Sequence, residues 1–109
     1  MSRFAETLAR LTATIEARKG ADAASSYTAM LLAGAAPLAA KKFGEEAIET
    51  VIAAIEGEPA AIAAESADMI YHWLVLLAAT GVSLDEVAAR LDAREGRSGI
   101  EEKASRTKG

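Results

Sequence analysis

The sequence predicts an all-α protein, an antiparallel helical bundle of about five helices, and three observations carry that prediction. Alanine, the strongest helix former, fills 27 of the 109 positions, while aromatic residues make up only 5%. Large apolar residues recur at three- and four-residue spacing, the period of a helix face. Glycine or proline punctuates the chain at positions 20, 34, 37, 57, 59, 81 and 96, leaving helix-sized segments with short connections.

Phe4, Leu8, Leu11 and Ile15 form one face of a first helix, which Gly20 stops. Ser25 or Ser26 caps a short second helix that ends near Gly34. Pro37 suits the first turn of a long third helix running to about Glu56, with Ile48, Val51, Ile52 and Ile55 as its apolar face. Gly44 sits inside that helix at a cost of about 1 kcal/mol relative to alanine, which implies close approach by something else. The turn Glu56-Gly57-Glu58-Pro59 leads into a fourth helix running from about Pro59 to Thr80. Its second half is apolar nearly all round, so it is expected to be buried in the chain or at a subunit interface. Ser83 and Glu86 form a capping box for a fifth helix that Gly96 ends. Ser98 and Glu101 could cap one final turn, and disorder is expected beyond about Arg106. No repeat or long linker interrupts the chain, so residues 1–109 read as one domain.

Composition narrows the function. Cysteine is absent and there is one histidine, which excludes disulfides, thiol nucleophiles and Cys-based zinc sites. Residues 1–42 carry a charge of +3, residues 43–89 carry −9 with no Lys or Arg, and residues 90–109 carry +2. An acidic middle between basic ends argues against a nucleic-acid-binding domain. No secretory signal is expected, and the apolar run from Met69 to Ala79 is shorter than the roughly 20 residues a bilayer span needs. The expected location is therefore cytoplasmic. Only 29 apolar side chains are larger than alanine, a thin core that a partner subunit would complete.

The −9 segment holds two acidic pairs. Glu46 and Glu49 are three apart on the third helix, and Glu65 and Asp68 are three apart on the fourth, so each pair shares a face. Fifteen residues separate Glu49 from Glu65, which makes the two helices antiparallel neighbours and brings the pairs to similar height. Four converging carboxylates resist joint ionisation unless a cation joins them. A hard divalent ion prefers oxygen ligands, and Mg²⁺ in particular binds carboxylates together with substrate phosphates. The chemistry implied is metal-assisted hydrolysis of a phosphate anhydride, with Glu45 beside the set to position or deprotonate the water. The competing reading is a solvated acidic face. Glu46 falls almost opposite the apolar centre of its own helix, which favours that reading for the third helix taken alone. On the fourth helix, Glu65, Asp68 and His72 form a stripe bordered by Met69 and Leu76, so these acids are expected to be partly buried.

Other residues are weaker candidates. Lys41 and Lys42, one turn before the acids, and Lys103 and Arg106 in the basic tail, are either phosphate-binding or ordinary solvated cations. Ser26 begins a helix start that either binds phosphate or is only a cap. His72 is a hydrogen-bonded core residue or an acid, and Tyr71 and Trp73 belong to the core or an interface.

Gly44-Glu45-Glu46-Ala47-Ile48-Glu49 followed by Glu65-Ser66-Ala67-Asp68 resembles the EExxE…ExxD signature of the MazG-type all-α nucleoside-triphosphate pyrophosphohydrolases. Ser26-Tyr27-Thr28, the run from Ala67 to Leu77 and the segment from Ser98 to Arg106 are similar, within that group, to the phosphoribosyl-ATP pyrophosphohydrolase family. The resemblance covers about Phe4 to Arg106. It implies Mg²⁺-dependent cleavage of the α–β anhydride of phosphoribosyl-ATP to phosphoribosyl-AMP and pyrophosphate, the second step of histidine biosynthesis. It makes Glu46, Glu49, Glu65 and Asp68 metal ligands, Glu45 the water-activating base, and the chain a homodimer. Pro37-Leu38-Ala39-Ala40 departs from the basic residues that often precede this motif. Two alternatives stand beside this reading: a house-cleaning pyrophosphohydrolase of the MazG/dUTPase type, and a non-catalytic helical dimer or adaptor.

Overall fold

The computed structural model describes residues 2–95 and is helical throughout, in the order α1 (Arg3–Ala17), α2 (Tyr27–Ala33), α3 (Ala35–Glu56), α4 (Pro59–Thr80) and α5 (Leu84–Arg94). The expectations that fall on Gly96, Ser98, Glu101, Lys103 and Arg106 lie outside the described residues.

The helix ends follow local chemistry. Ser2 caps α1 by accepting from the Ala5 amide at 3.1 Å. Gly57 and Gly81 end α3 and α4 with left-handed backbone at φ 77 and 75, a region that costs glycine nothing. The capping box of α5 is complete: Ser83 Oγ accepts from the Glu86 amide at 3.1 Å, and the Ser83 amide donates to Glu86 Oε2 at 2.7 Å. α3 begins two residues before Pro37, which therefore still lies in the first turn.

α3 and α4 are joined by a two-residue turn and pack along each other as the main helical pair, with α1 and α2 added against α4. The core gathers around the second half of α4. Ile15, Leu31, Ala39, Leu74, Val75 and Ala78 are buried there, with Leu8, Leu11, Leu38, Ile70, Tyr71 and Trp73 packed partly around them. α4 is long and apolar enough to cross a membrane, but several of its residues are instead buried against the other helices as core. Phe4, read from the sequence as part of the inward face of α1, is 60% exposed.

One larger expectation fails. The apolar face of α3 is not its packing face: Ile48, Val51, Ile52 and Ile55 are 63, 58, 50 and 81% exposed. The face toward α4 runs through Ala39, Phe43, Glu46, Thr50 and Ala53, of which Ala39 and Ala53 are buried and the rest half-buried. Their alternating four- and three-residue spacing is a helix-pairing seam, and small side chains on it allow close approach. Gly44 is likewise not a contact among the described residues, since a Cβ there would meet none of their atoms within 4 Å.

The close approach occurs at Gly34 instead. A Cβ on Gly34 would stand 2.6 Å from Leu38 Cβ and 2.5 Å from Leu38 Cδ2, and the next residue, Ala35, already takes left-handed backbone at φ 56. Gly34→Ala is therefore expected to destabilise the chain by about 1–3 kcal/mol through overpacking, measured as a lower denaturation midpoint at unchanged slope.

Candidate metal centre

The seam of α3 explains how Glu46 comes to face α4. Because the bulky isoleucines lie on the opposite side, the inward side is left to small and polar residues. Thr50, one turn after Glu46, fastens the two helices at that level: its hydroxyl lies 2.8 Å from the Glu46 carbonyl oxygen and 3.1 Å from the Glu65 carbonyl oxygen, and its proton is shared between them. Sequence reading passed over Thr50. Its only signal was its place one turn beyond Glu46 on the same face.

The structure brings together Glu46, Glu49 and Glu65. One carboxylate oxygen from each lies within 4.8 Å of the others. Glu46 and Glu65 are half-buried and Glu49 is exposed. Glu46 Oε2 and Glu65 Oε2 are inaccessible to solvent and have no hydrogen-bond partner among the described residues. Such orphaned acceptors in a folded interior are costly unless something positively charged meets them. Asp68 stands close enough to act on both Glu46 and Glu65 electrostatically. It is exposed rather than partly buried as the α4 stripe had implied. An open cleft lined by Glu49, Ile52, Ala53, Glu56, Ala61 and Glu65 adjoins the cluster toward the α3–α4 turn.

The crowding shows in the ionisation of the group. Loss of solvation raises the Glu46 carboxyl above its ordinary value, and the neighbouring Glu49 carboxylate adds to it, while the His72 imidazole opposes it. Glu65 is raised by loss of solvation first, then by the neighbouring Glu49 carboxylate, and by Asp68. Each carboxylate makes its neighbours harder to ionise, and a hard cation among them reverses that penalty. The donor set of three to four carboxylate oxygens fits Mg²⁺ or a similar ion and does not suit a soft metal.

The remaining candidates fall elsewhere. Glu45 stands outside the trio and pairs with Lys42 at 3.8 Å. Lys41 is exposed on the same helix. Ser26 Oγ caps α2, accepting from the Ala29 amide at 3.2 Å. His72 is a hydrogen-bonded core residue, 6% exposed, as the more ordinary of its two readings held.

A helical hairpin that sets carboxylates face to face defines the class: an all-α protein that gathers an acidic cluster between two antiparallel helices. The particular family follows from comparison with known proteins. The family model for phosphoribosyl-ATP pyrophosphohydrolase matches residues 8–95, and the chain belongs to that family. A phosphoribosyl-ATP pyrophosphatase of Caulobacter vibrioides is 66% identical over 104 residues, covering 95% of this chain and 96% of its own. Those of Parvibaculum lavamentivorans and Cereibacter sphaeroides are 57% and 60% identical, over 97% and 91% of this chain and 97% and 96% of theirs.

The raised carboxyls carry a signed consequence for the metal-free chain. Glu65 keeps its proton in the fold at pH values where the unfolded chain, with its ordinary value of 4.5, has released it. Its contribution to stability is full below that value and is lost as pH rises through the raised one. In EDTA, Glu65→Gln should match the wild-type melting temperature in acid and exceed it increasingly as pH rises through this window. Parallel curves for the two proteins would contradict the assignment.

Proposed function

We propose that Glu46, Glu49, Glu65 and Asp68 hold Mg²⁺, and that the site hydrolyses the α–β anhydride of phosphoribosyl-ATP to phosphoribosyl-AMP and pyrophosphate, the second step of histidine biosynthesis. The observation that carries the metal assignment is that Glu46 and Glu65, two members of one carboxylate cluster, each keep a solvent-inaccessible oxygen without a partner among the described residues. The substrate rests on family membership. When bound, Mg²⁺ would neutralise the carboxylates and the phosphates together and polarise the anhydride.

The chain's own residues supply the rest. α3 and α4, fastened by Thr50, hold the ligands in register before substrate arrives, so little reorganisation remains for binding. By the family motif, Glu45 accepts the proton of the attacking water. The water oxygen bonds to the α-phosphorus, the α–β bridge breaks, and pyrophosphate leaves with the bridging electrons. Glu45 lies on the same helix turn as Glu46 and reaches outward to Lys42, at the rim where a water and an anionic substrate meet. Lys41 and Lys42 stand on that side to offset substrate charge. A biosynthetic hydrolase of this kind is read as cytoplasmic.

The same reading includes a homodimer. Gly44, Ile48, Val51 and Ile55 lie on one stripe of α3, and the last three are exposed. Such an apolar face on a small helical chain calls for cover, and the open space at Gly44 suits the close approach of a second copy.

Two outcomes test these readings. Glu49→Gln and Asp68→Asn should each lower Mg²⁺-dependent pyrophosphate release by at least ~10²-fold, the scale of losing a group that stabilises transition-state charge, with helical circular dichroism unchanged. Full activity in either variant would remove that residue from the metal set. Ile55→Lys should shift the chain toward monomer in analytical ultracentrifugation, whereas an unchanged dimer would place the interface elsewhere.

A further inference from the structure

Two consecutive residues at the start of α2 are bonded to two consecutive residues of α4. Thr28 Oγ1 shares a hydrogen bond with the Tyr71 hydroxyl. The Tyr27 hydroxyl lies 3.3 Å from His72 Nε2. His72 Nδ1, in turn, lies 2.8 Å from the Asp68 carbonyl oxygen. A carbonyl only accepts, so Nδ1 donates. In the neutral ring Nε2 is then the acceptor, and the Tyr27 hydroxyl donates to it. The backbone of α4 thus fixes the tautomer that receives Tyr27. The Tyr27 ring also stacks on Tyr71 at 6.5 Å and 21°, and meets the imidazole edge-on at 6.2 Å.

Held by two partners, His72 and Tyr71, Tyr27 is nonetheless 52% exposed. Its polar end is anchored inward and much of the ring is left to solvent, the reverse of a side chain buried for packing. The residue that holds its hydroxyl, His72, lies one turn along α4 from Asp68 and bonds to the Asp68 carbonyl oxygen. His72 alone bridges from the backbone of Asp68 to the Tyr27 hydroxyl, and it lies close enough to Glu46 to favour that residue's charge. A nucleotide held by its phosphates at the carboxylates carries a flat heteroaromatic base one sugar away, and such a base stacks on an aromatic face.

We propose that Tyr27 is the aromatic surface on which the purine of the substrate stacks, and that His72 is the residue that positions it. This rests on the reading of the Glu46, Glu49 and Glu65 cluster as the place where the substrate's phosphates are held. Tyr27 contacts substrate; His72 acts only through Tyr27. The bond to His72 stops the phenol from turning away, so the ring is oriented before substrate binds and less freedom is lost on binding.

Steady-state turnover of phosphoribosyl-ATP at saturating Mg²⁺ tests this, with the wild type and variants compared by KM and kcat. Tyr27→Ala should raise KM by about tenfold, the scale of one lost base–aromatic stack, with kcat and the Mg²⁺ concentration for half-maximal rate little changed. Tyr27→Trp, which keeps an aromatic face, should hold KM near the wild-type value. His72→Gln, whose amide oxygen can replace Nε2 as acceptor, should raise KM less than His72→Leu. An unchanged KM in Tyr27→Ala would overturn the proposal. So would equal losses in Tyr27→Ala and Tyr27→Trp accompanied by a lower melting temperature, the mark of a purely structural residue. Wild-type turnover that persists in EDTA would count against the metal reading alone, because the Tyr27 comparison is read from KM.

Discussion

The mutual repulsion of carboxylates held between two antiparallel helices is the constraint on which the rest of this structure depends. Glu46, Glu49 and Glu65 bring oxygens within 4.8 Å of one another, and two of those carboxylates each keep an oxygen from both water and any donor among the described residues. No Lys or Arg occurs anywhere in residues 43–89 to relieve them. A fold that tolerates this arrangement must be held by something else. The Thr50 hydroxyl at the same level and the buried alanines above and below it, Ala39 and Ala53, supply that hold by letting the helices approach closely.

The same constraint shapes the outside of the molecule. With its inward side given to alanine, threonine, glutamate and a single phenylalanine, Phe43, α3 carries its isoleucines and valine outward. The long helices therefore form a pair that is polar at its centre and apolar on one outer face, while the apolar core lies around the second half of α4 with α1 and α2. On this view the thin core and the exposed stripe have one cause. Placing acids at the helix–helix seam displaces the large apolar residues that would otherwise fill it, and a second copy is the partner that would cover them.

Much of the fold was legible in the sequence because its signals are local. The bounds of α4, the capping box of α5 and the left-handed glycines that close α3 and α4 each depend on a few neighbouring residues. The acidic trio was legible because residues three apart share a face and the short turn makes the helices antiparallel. What periodicity misjudged was the direction of α3. An apolar stripe shows which side avoids water, and not whether it meets this chain or another, so Ile48 to Ile55 read as core and are exposed. Asp68 was expected to be partly buried because Met69 and Leu76 border its stripe, yet a helix face can change from buried to open within one turn. Thr50 was not legible as a site residue, and Tyr27 gave a signal only within the Ser26-Tyr27-Thr28 segment, for a different reason. Their roles depend on single hydrogen bonds to residues 15 and 45 positions away, which no spacing rule encodes.

The proposed function makes one chemical claim: the cluster of Glu46, Glu49 and Glu65 holds a divalent cation and hydrolysis depends on it. The most direct measurement is pyrophosphate release from phosphoribosyl-ATP by protein stripped with EDTA, followed as Mg²⁺ is added back. The account predicts no turnover in the stripped protein and saturable recovery with Mg²⁺. Turnover that continues undiminished in EDTA would contradict it.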